Sequence, residues 1–215
     1  MALRANFATI DSLDNGNIID RRAGRTLTTE EAETLADAIN SRVKLPCDFI
    51  FKATLQHRGV LVLKGGFSEM ISGNDATYNM GKLRELLKIT SCKPENDEEN
   101  SLYTANIVNE FLEQVYEVLK KHPINLERKK RGLMPANYLL VRGAGIEIPK
   151  LKQYRKWMAV AYMPLEIGFS LTSGMKVFSF SYPPLRGLDA YENLYAGLKK
   201  ACDFSVSVLK KNHKD

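Results

Sequence analysis

Three arginines crowd into six residues at Asp20-Arg21-Arg22-Ala23-Gly24-Arg25, and a fourth stands upstream at Arg4 in the strand-like run Arg4-Ala5-Asn6-Phe7-Ala8-Thr9. A guanidinium fork matches the paired oxygens of a carboxylate or phosphate, and its charge does not titrate away near neutrality. Far along the chain, Arg142 closes the apolar run 137–142 and is followed by Gly143-Ala144-Gly145. A third basic element is the turn Gln56-His57-Arg58-Gly59, which presents an imidazole beside a guanidinium. Imidazole can carry or relay a proton near pH 7 while the guanidinium holds an anion. If the fold brings these stretches together, they form a pocket for a small, doubly anionic ligand. Asp75, in Gly73-Asn74-Asp75-Ala76, reads as a turn residue.

The elements that must position these side chains are partly legible. Residues 5–10 and 17–19 read as short strands around Leu13-Asp14-Asn15-Gly16, a hairpin turn of the asparagine-glycine kind. Thr28 followed by Glu31 is a capping box, and the helix it opens aligns Ala32, Leu35, Ala36 and Ile39 on one face. Two further strands run from Cys47 to Leu55 and from Gly59 to Lys64, with Phe49, Phe51, Val60 and Val62 among their apolar positions. The acidic, proline-interrupted stretch 93–100 is an exposed loop. A strong helix then spans Thr104 to Lys121, with Val108, Phe111, Leu112, Val115 and Leu119 as a core stripe, and His122-Pro123 stops it.

From residue 137 strand-like runs (137–142, 158–163, 176–180, 203–209) alternate with helical ones (150–156, 189–201), the rhythm of βαβ units. A boundary is expected near Gly145 to Pro149. The class is α/β, with two domains expected over residues 1–147 and 148–215.

Composition narrows the function. The 215 residues are 44% hydrophobic and 26% charged, ordinary for a globular protein able to bury a core. No run approaches the roughly 18–20 apolar residues of a membrane span, and the N-terminus lacks a signal-peptide core. A cytoplasmic location without membrane partners is expected. Cys47, Cys92 and Cys202 are scattered and odd in number, which argues against a disulfide framework. Three histidines cannot build a histidine-rich metal centre, so no metal or other cofactor is expected in this chain. The formal charge of +6 owes part of its excess to Arg128-Lys129-Lys130-Arg131, read as a solvated loop, and to the C-terminal lysines. No Walker loop, dinucleotide fingerprint or G-x-S-x-G elbow is present.

The order of these blocks resembles the archaeal-type, cofactor-independent (2,3-bisphosphoglycerate-independent) phosphoglycerate mutases of the alkaline phosphatase superfamily. The carrying stretches are Arg4 to Asp11, Asp20 to Arg25, His57 to Leu63, Thr104 to Phe111, His122 to Asn125, and Gly132 to Asn137 leading into Arg142 to Gly145. The resemblance implies an enzyme roughly twice this length. In it, a phosphatase-like core holds a serine nucleophile and two divalent metals of the Mn or Mg type, and an inserted domain grips the glycerate. The serine takes the phosphate of 3-phosphoglycerate, the glycerate re-orients, and the phosphate returns to the other hydroxyl to give 2-phosphoglycerate.

Residues 1–147 then correspond to a mixed-sheet inserted domain, and 148–215 to βαβ elements of the phosphatase-like core. Carried over, the substrate-holding residues are Arg4, Arg21, Arg22, Arg25, His57, Arg58 and Arg142, supported by Asn6 and Asp20. The expected partners are 2- or 3-phosphoglycerate and, if the chain is a piece of a longer enzyme, the remaining core; exposed strand edges would otherwise favour a dimer.

The chain departs from the family pattern at Ile167, where a lysine is usual, at Asp75-Ala76-Thr77 in place of Asp-Pro-His, and at Tyr182 to Gly187 in place of a glycine-threonine loop. His213 and Asp215 are poor stand-ins for the family's C-terminal metal ligands. No residue of this chain is therefore expected to be catalytic. The rival expectation is a shortened, non-catalytic homologue serving as a binding or assembly protein, on RNA or a ribosome.

Overall fold

The structure is a computed structural model that describes residues 1–75, 87–181 and 190–212. The chain divides into two compact units, Met1–Glu147 and Ile148–Asp215. Ala76, Thr77, the stretch 182–187, His213 and Asp215 lie outside the described residues.

The first unit is built on a five-stranded sheet whose described pairings are all antiparallel. Its axis is β1 (Ala2–Ile10), which pairs with β4 (Arg58–Leu63) on one side and β5 (Tyr138–Gly145) on the other. β3 (Phe49–Ala53) adds to the outer edge of β4, and the short β2 (Ile18–Asp20) pairs with the far end of β1. Period-two alternation divides the sheet into two faces. Leu3, Ala5 and Phe7 share one face with Phe51, Leu61 and Leu63, and all are buried. Along β4 the buried positions are Gly59, Leu61 and Leu63, and Val60 and Val62 stand on the other, half-open face.

Helices cover the apolar face. α1 (Thr29–Arg42) opens with the expected capping box: Thr28 Oγ1 accepts from Glu31 N at 3.1 Å, and Glu31 Oε2 accepts from Thr28 N at 3.1 Å. It packs on β3 and on α2 (Glu99–Lys120), which in turn packs on β5. Val108, Phe111, Leu112, Val115 and Leu119 are buried on α2, as their spacing predicts. Phe51 and Phe111 stack toward each other at 6.3 Å, and Phe7 meets Phe51 edge-on at 5.6 Å, joining sheet to helix.

α2 ends at Lys120 with Lys121 as its cap, and His122 caps the start of α3 (Pro123–Lys130), where its Nδ1 accepts from Ile124 N. The basic run 128–131 is therefore the end of a helix and its cap, not a solvated loop. Arg128 is among the largest fully buried side chains of the protein. Two buried asparagines tie the following segment down. Asn125 bonds Leu119 O and the backbone of Ala136, and Asn137 pairs with both backbone groups of Ile10 as a ladder residue would.

The second unit contains a parallel pair, β6 (Met158–Ala161) and β7 (Lys176–Ser179), joined through α4 (Pro164–Thr172) and followed by α5 (Ala190–Asn212). The α/β class holds, with antiparallel and parallel sheets. Two local expectations fail. Residues 150–156 form no helix, because their polar groups are used elsewhere: Tyr154 N donates to Ser173 O, and Gln153 Nε2 to Thr172 O. Residues 203–209 form no strand but extend α5. The alternation of Phe204, Val206 and Val208 mimics a strand, yet adding residues to an existing helix costs little once it is nucleated. Ser205 and Ser207 satisfy their hydroxyls on carbonyls one turn back.

Trp157, Leu165, Phe169 and Leu171 of this unit are more than half exposed. No helix among the described residues is long and apolar enough to cross a membrane. The three cysteines are free, Cys92 buried, Cys47 half-buried and Cys202 exposed.

Candidate functional site

The strand register places the distant basic residues side by side. Arg4 of β1 stands directly opposite Arg142 of β5, and Asn6 stands opposite Arg58 of β4. Side chains paired across neighbouring strands share a face, so these four project from the side of the sheet that α1 and α2 leave open. There they line a cleft of about 800 Å³, within the roughly 300–1,000 Å³ of small-molecule sites. Arg21, Arg22 and His57 complete the basic wall, and Ser72, Thr90, Ser91, Lys93 and Glu95 come from irregular segments opposite. Two of the predicted residues, Asp20 and Arg25, do not line the cleft. Arg25 is exposed, with its backbone in the left-handed region at φ 56°.

The arginine loop is shaped by its neighbours. Asp20 Oδ1 accepts from Arg22 N at 2.7 Å and from Gly24 N at 2.8 Å, closing a tight turn. Gly24 has φ 67°, where glycine carries no Cβ penalty, whereas Ala23 at φ 47° is held left-handed at a cost. The His57 turn is closed by Arg58 N donating to Leu55 O, with Gln56 at φ 53°. Thr29 Oγ1 accepts from Gln56 N, tying that turn to the start of α1.

Asp75 is more than a turn residue. Its carboxylate is 1% exposed and accepts from Arg21 Nε at 2.9 Å and from Arg21 Nη2. Arg142 Nε lies 3.5 Å from its other oxygen, so one buried carboxylate sits between arginines 121 positions apart. What carries Asp75 there is Asn74, whose side chain pairs with the outer edge of β5. It accepts from Val141 N at 2.6 Å and donates to Leu139 O at 3.1 Å, while Val141 O accepts from Asn74 N at 3.1 Å. The approach demands Gly73, where a Cβ would lie 2.3 Å from Val141 O and 2.8 Å from the Arg142 Cα. A glycine before an Asn-Asp pair was the available signal, and turn chemistry explained it just as well. Ser72, Thr90, Ser91 and Lys93 had no signal at all, since irregular backbone has no period to read.

The electrostatics follow from crowding. Burial first, then Arg142 and Arg22, hold the Arg4 guanidinium below its ordinary value, with Asp75 opposing. Burial and the charges of Arg58, Arg22 and Arg25 push His57 from 6.5 down to about 4, against a weaker pull from Asp20. His57 is therefore a neutral ring at pH 7. His57 Nδ1 and Asn6 Oδ1 are buried and meet no hydrogen-bond partner among the described residues. Such orphaned polar atoms are expensive unless a ligand or water meets them.

Five guanidinium groups, a neutral imidazole and one buried carboxylate surround a cleft on an α/β domain, a lining whose chemistry suits an anion. The comparisons with known proteins narrow that class. Residues 1–125 match the family of 2,3-bisphosphoglycerate-independent phosphoglycerate mutases. A mutase of that description from Thermococcus kodakarensis is 42% identical over 185 residues, covering 83% of this chain and 42% of its own length. One from Pyrococcus horikoshii is 47% identical over 145 residues, covering 67% of this chain and 32% of its own. The solved structure of a cofactor-independent phosphoglycerate mutase from Thermoplasma acidophilum superposes with a TM-score of 0.58 at 32% identity, over 96% of this chain and 51% of that one. The chain belongs to the 2,3-bisphosphoglycerate-independent phosphoglycerate mutase family, and it spans about half or less of the length of the relatives it matches.

Among the described residues no group of three or more His, Cys, Asp or Glu side chains converges to hold a metal ion.

Proposed function

We propose that the cleft of the first unit binds 2- or 3-phosphoglycerate and that the chain is the substrate-holding part of a phosphoglycerate mutase. The observation that carries this reading is Arg4 and Arg142 facing each other across two strands, with Asp75 tying Arg142 to Arg21. A phosphorylated three-carbon acid carries an anion at each end, and each end can take a separate fork. Because Asp75 holds the Arg21 fork and stands beside Arg142, and Asp20 fixes the backbone of the arginine loop, less ordering entropy is left to lose on binding. The surrounding positive potential also steers a dianion inward.

Turnover is proposed to require the rest of such an enzyme, where the resemblance places a serine nucleophile and its divalent ions. The exposed apolar residues of the second unit then have an occupant in that core, and two copies are expected to pair through them when it is lacking. The setting is the cytoplasm. A shortened homologue docking on RNA or a ribosome draws no support from the three relatives named above, which carry the mutase description.

Isothermal titration of the full chain with 3-phosphoglycerate tests the reading. Binding is expected at low salt, weakened roughly 10- to 100-fold by Arg142→Met, as for loss of one charged hydrogen-bonding group. The absence of heat with either phosphoglycerate, or equal affinity in Arg142→Met, overturns it.

A further inference from the structure

Arg128 lies outside the lining of the cleft, and no sequence pattern marked it as anything but surface charge. Yet its side chain is 1% exposed and each arm of its guanidinium is spoken for. Nε donates to Met134 O at 3.0 Å; Nη1 donates to Glu31 Oε2 at 2.7 Å and Thr26 O at 3.2 Å; Nη2 donates to Thr26 Oγ1 at 2.7 Å and Ala23 O at 3.4 Å. Two of those partners, Ala23 and Thr26, belong to the segment that follows directly on Arg21 and Arg22. That segment carries three successive left-handed residues, Ala23, Gly24 and Arg25, of which only one is glycine. Left-handed non-glycine residues persist when their surroundings over-determine them. Here Asp20 clamps the loop at the Arg22 and Gly24 amides, and Arg128 clamps it at Ala23 and Thr26.

We infer that Arg128 is a positioning residue for the anion cleft, holding the loop 20–25 in the one shape that turns Arg21 and Arg22 toward the ligand. The requirement is specific to a guanidinium. The acceptors lie on three separate stretches of chain, at 23–26, at Glu31 and at Met134, and a planar fork with five fixed donors reaches all of them. An ammonium, as a compact point charge with three donors, cannot span the set. Glu31 serves two masters, since the oxygen that accepts from Arg128 also closes the cap of α1. The loop, the helix start and α3 are thereby locked as one body. The inference rests on the phosphoglycerate reading only for its binding readout.

The experiment uses Arg128→Lys in the full chain, with Thr26→Val as the milder variant that removes one Arg128 acceptor together with that hydroxyl's own bond to Ala23 O. Two quantities are read: the titration of the His57 ring by NMR and the affinity for 3-phosphoglycerate by calorimetry. Arg22 and Arg25 are two of the charges that depress His57, alongside burial and Arg58 and against Asp20. When the loop relaxes they withdraw, so His57 is expected to titrate nearer 6.5 in the folded variant than in the parent, where it titrates at about 4. Affinity is expected to fall by roughly tenfold or more, the scale of a small misplacement of binding groups.

A folded Arg128→Lys protein with parental His57 titration and parental affinity overturns the inference, leaving Arg128 a packing residue. Should Arg128→Lys fail to fold, the same two readouts in Thr26→Val decide, with the same outcomes for and against. Should the parent chain itself not bind 3-phosphoglycerate, the functional reading falls and the His57 titration alone still decides the role of Arg128.

Discussion

His57 couples the electrostatics of the cleft to the stability of the fold, with a sign and size that can be worked out. In the unfolded chain the ring titrates near 6.5; in the folded protein burial and three arginines hold it near 4. Between those values the unfolded state binds more protons than the folded one, so stability rises with pH across that window. The contribution is complete above pH 6.5 and is lost as the pH falls toward 4. At about 1.4 kcal/mol per tenfold change in proton affinity, lowering the pH from 7 to 5 removes about 2 kcal/mol through this one residue.

The assay is urea unfolding followed by far-ultraviolet circular dichroism at pH 7 and pH 5, for the parent and for His57→Gln, which cannot titrate. Tryptophan fluorescence would mislead, because Trp157, the sole tryptophan, belongs to the other unit. His122 is also depressed, by burial and then Arg42, but it is common to both proteins and cancels in the difference. The expected result is a loss of stability in the parent that exceeds the loss in His57→Gln by about 2 kcal/mol. Equal losses would refute the placement of a neutral His57 among the arginines.

Two further outcomes follow from the packing. Gly73→Ala drives a methyl into Val141 O and the Arg142 backbone, neither of which a rotamer change can move aside, so a loss of about 2 kcal/mol is expected by denaturation. The same change should weaken 3-phosphoglycerate binding, since Asp75 retreats from Arg142; unchanged stability would show that the loop does not approach β5 as described. Glu31→Ala removes the charge partner of the buried Arg128 together with the α1 cap, for an expected loss of about 3 kcal/mol. Glu31→Gln keeps an acceptor for the cap and should recover part of that loss, and thermal melts of the pair separate the two contributions.

Much of the local structure was written in short-range pattern. Thr28 and Glu31 stand three apart and close a capping box whatever surrounds them, and the α2 stripe needs only helical spacing to face one way. The hairpin around Asn15-Gly16 is equally local. Where a segment carried two competing signals, the pattern misled. Phe204 to Val208 alternates like a strand yet continues α5, and Lys150 to Lys156 looks helical yet has its polar groups drawn to Thr172 and Ser173.

Residue chemistry and block order, taken alone, determined that this chain is an α/β protein of the mutase family with arginines suited to an anion. Which arginines meet was decided by register. Arg4 faces Arg142 because β1 holds β5 at one offset from Arg4 to Ala8, after a shift at Ala2, and a slip by one residue there would turn one of them into the core. Tertiary structure also reassigned three residues whose types promised otherwise: Arg25 stays exposed, Asp75 becomes the shared carboxylate, and Arg128 goes inside. The physical reason is common to all three. A charged side chain states its preference for a partner, but only the packing of distant segments determines whether a partner stands within about 3 Å of it.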